Sequence, residues 1–311
     1  MGGGGGGGSY SDWSEEGLAK IVREDVDKSA AEHEPELAGL FSDLLASYND
    51  RDADLARKRL DEAKEALQDP VERSIDVLLG GSVAKHTYVD GLSDVDSLII
   101  ISGSQFEGLV PTEILDRMEQ ILRERVGHRA EVTHGKMAIT ITYPDKMIIQ
   151  LLPAMRTDTG LKVPAAKHDG WSNINPEAFQ TVLTRRNEEC GQKLVPTIKL
   201  AKAVIANLPE RYQLSGYHVE SIAIKAFDGY DGKKTTAAML PVFFEKAKEI
   251  VLSPILDKTG QSVHVDEYLG DANSSDRQSI SHLLYRVAKR MRNASAAGSN
   301  SQWRDLFFTE D

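Results

Sequence analysis

A single cysteine, Cys190, in 311 residues rules out an internal disulfide framework, and no Cys-x-x-Cys or paired Cys/His spacing suggests zinc. A reducing compartment is expected. No apolar run reaches the roughly 18 residues that a membrane-spanning helix needs, and the N-terminus lacks the basic-then-apolar order of a signal peptide. The expected location is the cytoplasm, with no membrane partner. There is no internal repeat and no basic extension for RNA. The formal net charge of -11 argues against a surface that attracts nucleic acid non-specifically, so any polyphosphate has to be met by a local basic pocket.

At 41% hydrophobic residues the chain can bury a sizeable core, and its length suits two lobes. Residues 1–9, Met1 with Gly2 to Gly8 and Ser9, read as a flexible glycine-rich leader, an added linker without core-forming residues. From Trp13 to about Leu67 the three-to-four spacing of Leu37, Leu40, Phe41, Leu44 and Leu45 predicts two or three helices. Ser74 to Leu79 reads as a short strand or helix end, Ser97 to Ser102 as a buried β-branched strand, and Thr112 to Val126 as an amphipathic helix. Ala138 to Tyr143 alternates as a strand does, Pro144-Asp145 turns, and Met147 to Leu152 is a nearly continuous apolar strand. After about Pro164 the signals are helical: Pro176 to Arg185, Leu194 to Asn207, His218 to Phe227, Ala237 to Val251 and Ser274 to Asn293. The predicted fold class is α+β, with N-terminal helices and a mixed sheet over 10–165 and an α-helical lobe over 166–311.

The chemistry-bearing feature is a Gly80-Gly81-Ser82 turn followed by Ser93-Asp94-Val95-Asp96 at the mouth of a strand. Glycines let the backbone approach phosphate oxygens and expose N–H donors, and Ser82 adds a hydroxyl. Two aspartates separated by one residue in an extended segment share one face, so Asp94 and Asp96 can jointly present hard oxygen ligands to Mg²⁺ or Mn²⁺. Either half alone is an ordinary turn or a solvated pair; their spacing beside a strand is what points to a nucleotide and metal site.

Gly81-Ser82-Val83-Ala84-Lys85-His86-Thr87 and Gly91-Leu92-Ser93-Asp94-Val95-Asp96 resemble the signature of the polymerase-β-like nucleotidyltransferases. Within that superfamily the chain most resembles the cGAS/DncV-like (CD-NTase) group, the bacterial relatives of cyclic GMP-AMP synthase and oligoadenylate synthetase. The resemblance runs from about Ser74 to Leu306, and only the Gly-Ser and Ser-Asp-Val-Asp part is strongly specific. Leu152-Pro153-Ala154 resembles the end of the third catalytic strand, Trp171 with Asn175-Pro176 the approach to the helical lobe, Leu194 to Lys202 a basic helix, and Ser215 to Glu220 the loop and helix after it. The resemblance implies a polymerase-β-like catalytic core over 10–165, with 166–311 completing a nucleotide cleft. It further implies nucleoside triphosphate substrates, a divalent cation on Asp94 and Asp96, a triphosphate contact for Lys202, and a cyclic or linear oligonucleotide signal in bacterial antiphage defence, read by a downstream effector protein.

Lys199 and Lys202 fall three apart and so share a helical face, where they can form the local basic pocket or simply a solvated stripe. Tyr217 can stack on a base or fill a lobe interface. Ser215 is a further candidate for nucleotide binding, and His86 for phosphate.

One position departs from the family pattern. Three residues before Pro153 the family carries an Asp or Glu that completes a metal site and helps deprotonate the attacking hydroxyl; here it is Gln150. An amide offers a neutral carbonyl oxygen and accepts no proton near neutral pH. Three readings follow: an introduced change from Glu that stalls the enzyme, a natural residue with another acid such as Glu131 or Asp145 in support, or a nucleotide-binding sensor or scaffold that does not turn over. Addition of nucleotides to an RNA or other acceptor is a further alternative. Base, sugar, linkage and oligomeric state are not encoded in any motif.

Overall fold

A computed structural model describes residues 33–48, 53–68, 75–78, 95–101, 106, 108–158, 160–165, 169–255 and 266–308. Two helices come first, α1 over 33–47 and α2 over Ala53–Leu67. The strand β1 (Ile75–Leu78), β2 (Val95–Ile101), the helix α3 (Pro111–Val126), then β3 (Glu131–His134), β4 (Ile139–Thr142), β5 (Ile148–Thr157), β6 (Gly160–Pro164) and β7 (Trp171–Ile174) make up the sheet region. The sheet order is β1-β2-β5-β4-β3, with β6 paired to β5 and β7 to β6. Among the described strands β2 and β5 run parallel and the other pairs are antiparallel.

The burial pattern explains why β2 and β5 read as apolar runs. Ile99, Ile101, Ile149 and Leu151 point toward α2 and α3 and join Leu60, Leu115, Met118 and Leu122 in one core. Leu98, Ile100 and Ala154 lie on the opposite face with Leu161 and Val163 of β6. Strands covered on both faces lose the polar alternation of a half-exposed sheet. The helix α3 begins with Pro111 at a position whose N–H needs no intrahelical partner, and the Glu113 carboxylate accepts from the Val110 N–H at 3.1 Å.

The second half is helical: α4 (Pro176–Glu189), α5 (Leu194–Ala206), α6 (Gly216–Ala226), α7 (Thr236–Ile250), α8 (Ser275–Ala296) and the short α9 (Asn300–Arg304). Capping residues set their starts. Asn175 Oδ1 accepts from Ala178 N–H at 2.9 Å, and Ser215, Thr235 and Ser274 cap α6, α7 and α8 in the same way at 3.3 Å; each such cap contributes about 1 kcal/mol. Although α1 precedes the sheet in the chain, its Leu37, Leu40, Phe41 and Leu44 belong to the core of this lobe. Phe41 meets Trp303 and Phe307 edge-on at 5.4 and 5.8 Å. Leu306 and Phe307 are buried, whereas Phe308 is exposed, so two of the three C-terminal apolar residues dock on the chain's own core. Among the described residues no helix is long and apolar enough to cross a membrane.

Candidate active site

Gly81, Ser82, His86 and Asp94 lie outside the described residues. Asp96 is placed by its backbone, and the register is informative: in the parallel β2/β5 ladder Asp96 pairs with Gln150, and on the other side of β5 Gln150 pairs with Thr140 of β4. Register partners in adjacent strands occupy the same face, about 4.8 Å apart. Ile149 and Leu151 are fully buried toward α2 and α3, so Gln150, which is half-buried, belongs to the opposite face. The position at which the family pattern has a third carboxylate is thus directly beside Asp96, and an amide stands there.

Neither sequence-suggested substitute acid lies at this point. The Asp145 carboxylate, in the β4/β5 turn, is held by Arg59 of α2 through contacts of 3.0 and 2.9 Å and accepts from Met147 N–H at 3.2 Å. The hydrogen bond from Arg59 holds its carboxyl below the usual range, and the Arg59 guanidinium also lies 3.8 Å from the centre of the Tyr143 ring. Glu131 is exposed on β3, opposite Thr142 and two strands away from β5. Of the three open readings of Gln150, the one that invokes another acid meets Asp145 paired with Arg59 and Glu131 two strands away from β5.

In the helical lobe the sequence candidates converge on the start of α6. Lys202, on α5, is buried and donates from Nζ to Glu220 Oε1 at 2.9 Å; Glu220 is 1% exposed. A Cβ placed on Gly216 would lie 3.2 Å from Lys202 Nζ, so the missing side chain at Gly216 leaves room for the ammonium against the first turn of α6. A cation there meets the positive end of the helix dipole, and Glu220 offsets that charge. Lys199 is half-buried one turn before Lys202. Burial and then the neighbouring Lys202 charge push its ammonium below the usual lysine range. Ser215 caps α6, with Oγ accepting from His218 N–H. Tyr217 is half-buried with its ring 4.5 Å from that of Phe179, a lobe-core contact. The buried partner of Lys202 was not inferred from sequence. The available signal was a lone acid inside the apolar run Val219 to Ile224, which needs a countercharge when buried.

Also unforeseen is a polar chain beneath Ser215. Its N–H donates to Tyr268 Oη at 3.3 Å, Tyr268 Oη lies 2.9 Å from His218 Nδ1, and His218 Nε2 is 3.7 Å from Asp266 Oδ2. Asp266 pairs with Arg277, and all three of His218, Asp266 and Arg277 are fully buried. Among the described residues no cluster of three or more His, Cys, Asp or Glu side chains is able to hold a metal ion.

Residues 37–187 match the family described as the Second Messenger Oligonucleotide or Dinucleotide Synthetase domain. No curated protein matches the sequence significantly. Solved structures are similar in fold at low identity. The CD-NTase CdnG of Bradyrhizobium diazoefficiens, in complex with GTP, aligns with a TM-score of 0.65 at 15% identity, over 82% of this chain and 89% of its own. For CdnC of E. coli MS115-1 with ATP the values are 0.59, 15%, 90% and 96%. The Vibrio cholerae cyclic AMP-GMP synthase DncV, with a linear intermediate, gives 0.61, 12%, 94% and 89%. The domain match over 37–187 and a fold shared along most of its length make the chain similar to the cGAS/DncV-like, CD-NTase nucleotidyltransferases.

Proposed function

We propose that the chain binds nucleoside triphosphates and joins them into a short cyclic or linear oligonucleotide signal, by attack of a sugar hydroxyl on an α-phosphate with release of pyrophosphate. The observation that carries this reading is the Asp96–Gln150 register, which sets the Asp-Val-Asp motif against the strand that bears the third family position. Asp94 and Asp96 would hold Mg²⁺ or Mn²⁺, which when bound neutralises triphosphate charge and makes the attacking hydroxyl more acidic. Gly81 and Ser82 bind the phosphates, and Lys199 and Lys202 add cationic charge from the helical side. Lys202, paired with Glu220 at the first turn of α6, lies three residues from Lys199 on α5. The proteins of similar fold point to the substrate class: CdnG with GTP, CdnC with ATP, and a cyclic AMP-GMP synthase. A cytoplasmic location, a downstream effector and a role in antiphage defence belong to the same proposal.

A second reading, a nucleotide-binding sensor or scaffold without turnover, is favoured by one observation: beside Asp96 stands Gln150, and neither Asp145 nor Glu131 replaces the missing base. Labelled ribo- and deoxyribonucleoside triphosphates with Mg²⁺ or Mn²⁺, incubated with the chain, with Gln150→Glu and Gln150→Asp, and with Asp94→Ala/Asp96→Ala, separate the two. Oligonucleotide product that disappears in the double Ala variant supports synthesis. Tight nucleotide binding without product from any variant leaves only the sensor. Product that requires an added RNA acceptor would overturn both in favour of tailing.

A further inference from the structure

We propose that His218 and Tyr268 are positioning residues for the triphosphate end of the substrate, holding the Ser215–Gly216 turn through their hydrogen bonds, with the His218 ring seated beside the buried Asp266–Arg277 pair. The inference rests on the reading that Ser215 and Lys202 contact phosphate.

The Asp266–Arg277 pair is rigid because its donors are all used. Arg277 Nη1 donates to Asp266 Oδ2 at 2.5 Å and to Val251 O at 2.9 Å, Nη2 to Gly270 O at 2.9 Å and Asp266 O at 3.2 Å, and Nε to Gly270 O at 3.0 Å. Asp266 Oδ1 accepts from Ile255 N–H at 3.0 Å. A fully buried guanidinium that bonds a carboxylate and several carbonyls has one geometry available to it. Against this pair lies the His218 ring, fully buried, with Nε2 on the Asp266 side.

Proton bookkeeping then fixes the direction of the chain. Ser215 N–H donates to Tyr268 Oη, so the phenol proton is available for His218 Nδ1 at 2.9 Å. That requires an Nδ1 lone pair and hence a neutral imidazole with its proton on Nε2, facing Asp266. Burial, partly opposed by Asp266, lowers the His218 pKa to about 4, which agrees with a neutral ring. The backbone of His218 serves the same turn, donating to Ser215 Oγ at 3.3 Å. The Ser215 side chain also hydrogen-bonds the Tyr268 hydroxyl, so both its N–H and its Oγ are held within this network. Tyr268 comes from a segment some fifty residues beyond Ser215 and remains half-exposed, so it straps the turn in place instead of filling the core.

The test is calorimetric titration of ATP and GTP, with AMP and GMP as controls, which reads binding whether or not the chain turns over. Tyr268→Phe keeps the ring and removes the hydroxyl. It should weaken triphosphate binding roughly three- to tenfold, the effect of losing one hydrogen bond, and leave monophosphate binding within about twofold. His218→Leu should do the same, whereas His218→Asn, whose Oδ1 still accepts from the phenol, should retain affinity; Tyr268→Phe covers the case in which the His218→Leu chain does not fold. Ser215→Ala and Lys202→Met test the underlying reading: unchanged triphosphate affinity in both would remove it. Weakened binding in those two with unchanged binding in Tyr268→Phe, or an equal loss for tri- and monophosphates, would overturn the positioning role.

Discussion

Asp96 of β2 and Gln150 of β5 are register partners across a parallel strand pair of the sheet. A carboxylate in place of the amide would add charge for a cation and a proton acceptor next to Asp96. Gln150→Glu is therefore expected to raise Mg²⁺-dependent nucleotide joining by roughly 10²- to 10⁴-fold over the present chain. Mass analysis of products under identical nucleotide and metal concentrations checks this, and equal rates in the two proteins would remove Gln150 as the limiting position.

The Lys202–Glu220 pair is buried on both sides, and loss of one partner strands the other charge. Glu220→Ala is expected to destabilise the fold by about 3–5 kcal/mol, while the double change Lys202→Met/Glu220→Leu recovers most of that loss because no uncompensated charge remains. Urea denaturation of the three proteins provides the comparison. A double variant no more stable than Glu220→Ala would show that the pair is held by something other than mutual charge.

Gly216 tests the close approach of the Lys202 ammonium to α6. An alanine Cβ would sit 3.2 Å from Nζ and 3.4 Å from Cε, so the ammonium has to move by a few tenths of an ångström. Backbone preference alone favours Gly→Ala by about 0.4–1 kcal/mol. The expected result is an unchanged or slightly higher melting temperature together with a roughly three- to tenfold weaker triphosphate affinity. Unchanged affinity would separate Lys202 from the phosphates.

His218 makes stability depend on pH in a defined direction. Its folded pKa of about 4 lies below the ordinary 6.5, so between those values the unfolded chain binds the extra proton. Stability present above pH 6.5 is lost as pH falls toward 4, by about 3 kcal/mol from this group. His218→Asn, which does not titrate, should show a flatter stability curve across that window; coincident slopes in chemical denaturation series would contradict the assignment.

The helices were legible where an apolar stripe and a cap coincide. Thr112 to Val126 in the sequence reading became Pro111–Val126, and Ser274 to Asn293 became Ser275–Ala296. Strands were legible where an apolar run is buried on both faces or where one face alternates, as in Ile139–Thr142. The apolar run Met147 to Leu152 revealed β5, but not its continuation to Thr157. The strands β3, β6 and β7 escaped because four or five residues such as Glu131–His134 or Trp171–Ile174 carry little pattern of their own and are held by pairing. α1 was recognised as a helix, yet nothing local indicates that its apolar face joins the core of the distant lobe.

The same division applies to the site. The sequence by itself determined the motif chemistry, because Asp-Val-Asp on an extended segment and Lys199/Lys202 on one helical turn follow from fixed backbone periods, and it determined that position 150 lacks a carboxylate. Only the tertiary structure decided which residues stand beside them. Strand register set Gln150 against Asp96 and committed Asp145 to Arg59, while helix packing buried Lys202 against Glu220 and brought His218, Tyr268, Asp266 and Arg277 together beneath Ser215. The physical reason is that a buried charge or polar atom is satisfied by whatever partner the fold delivers, often from fifty or more residues away, and no local spacing records that choice.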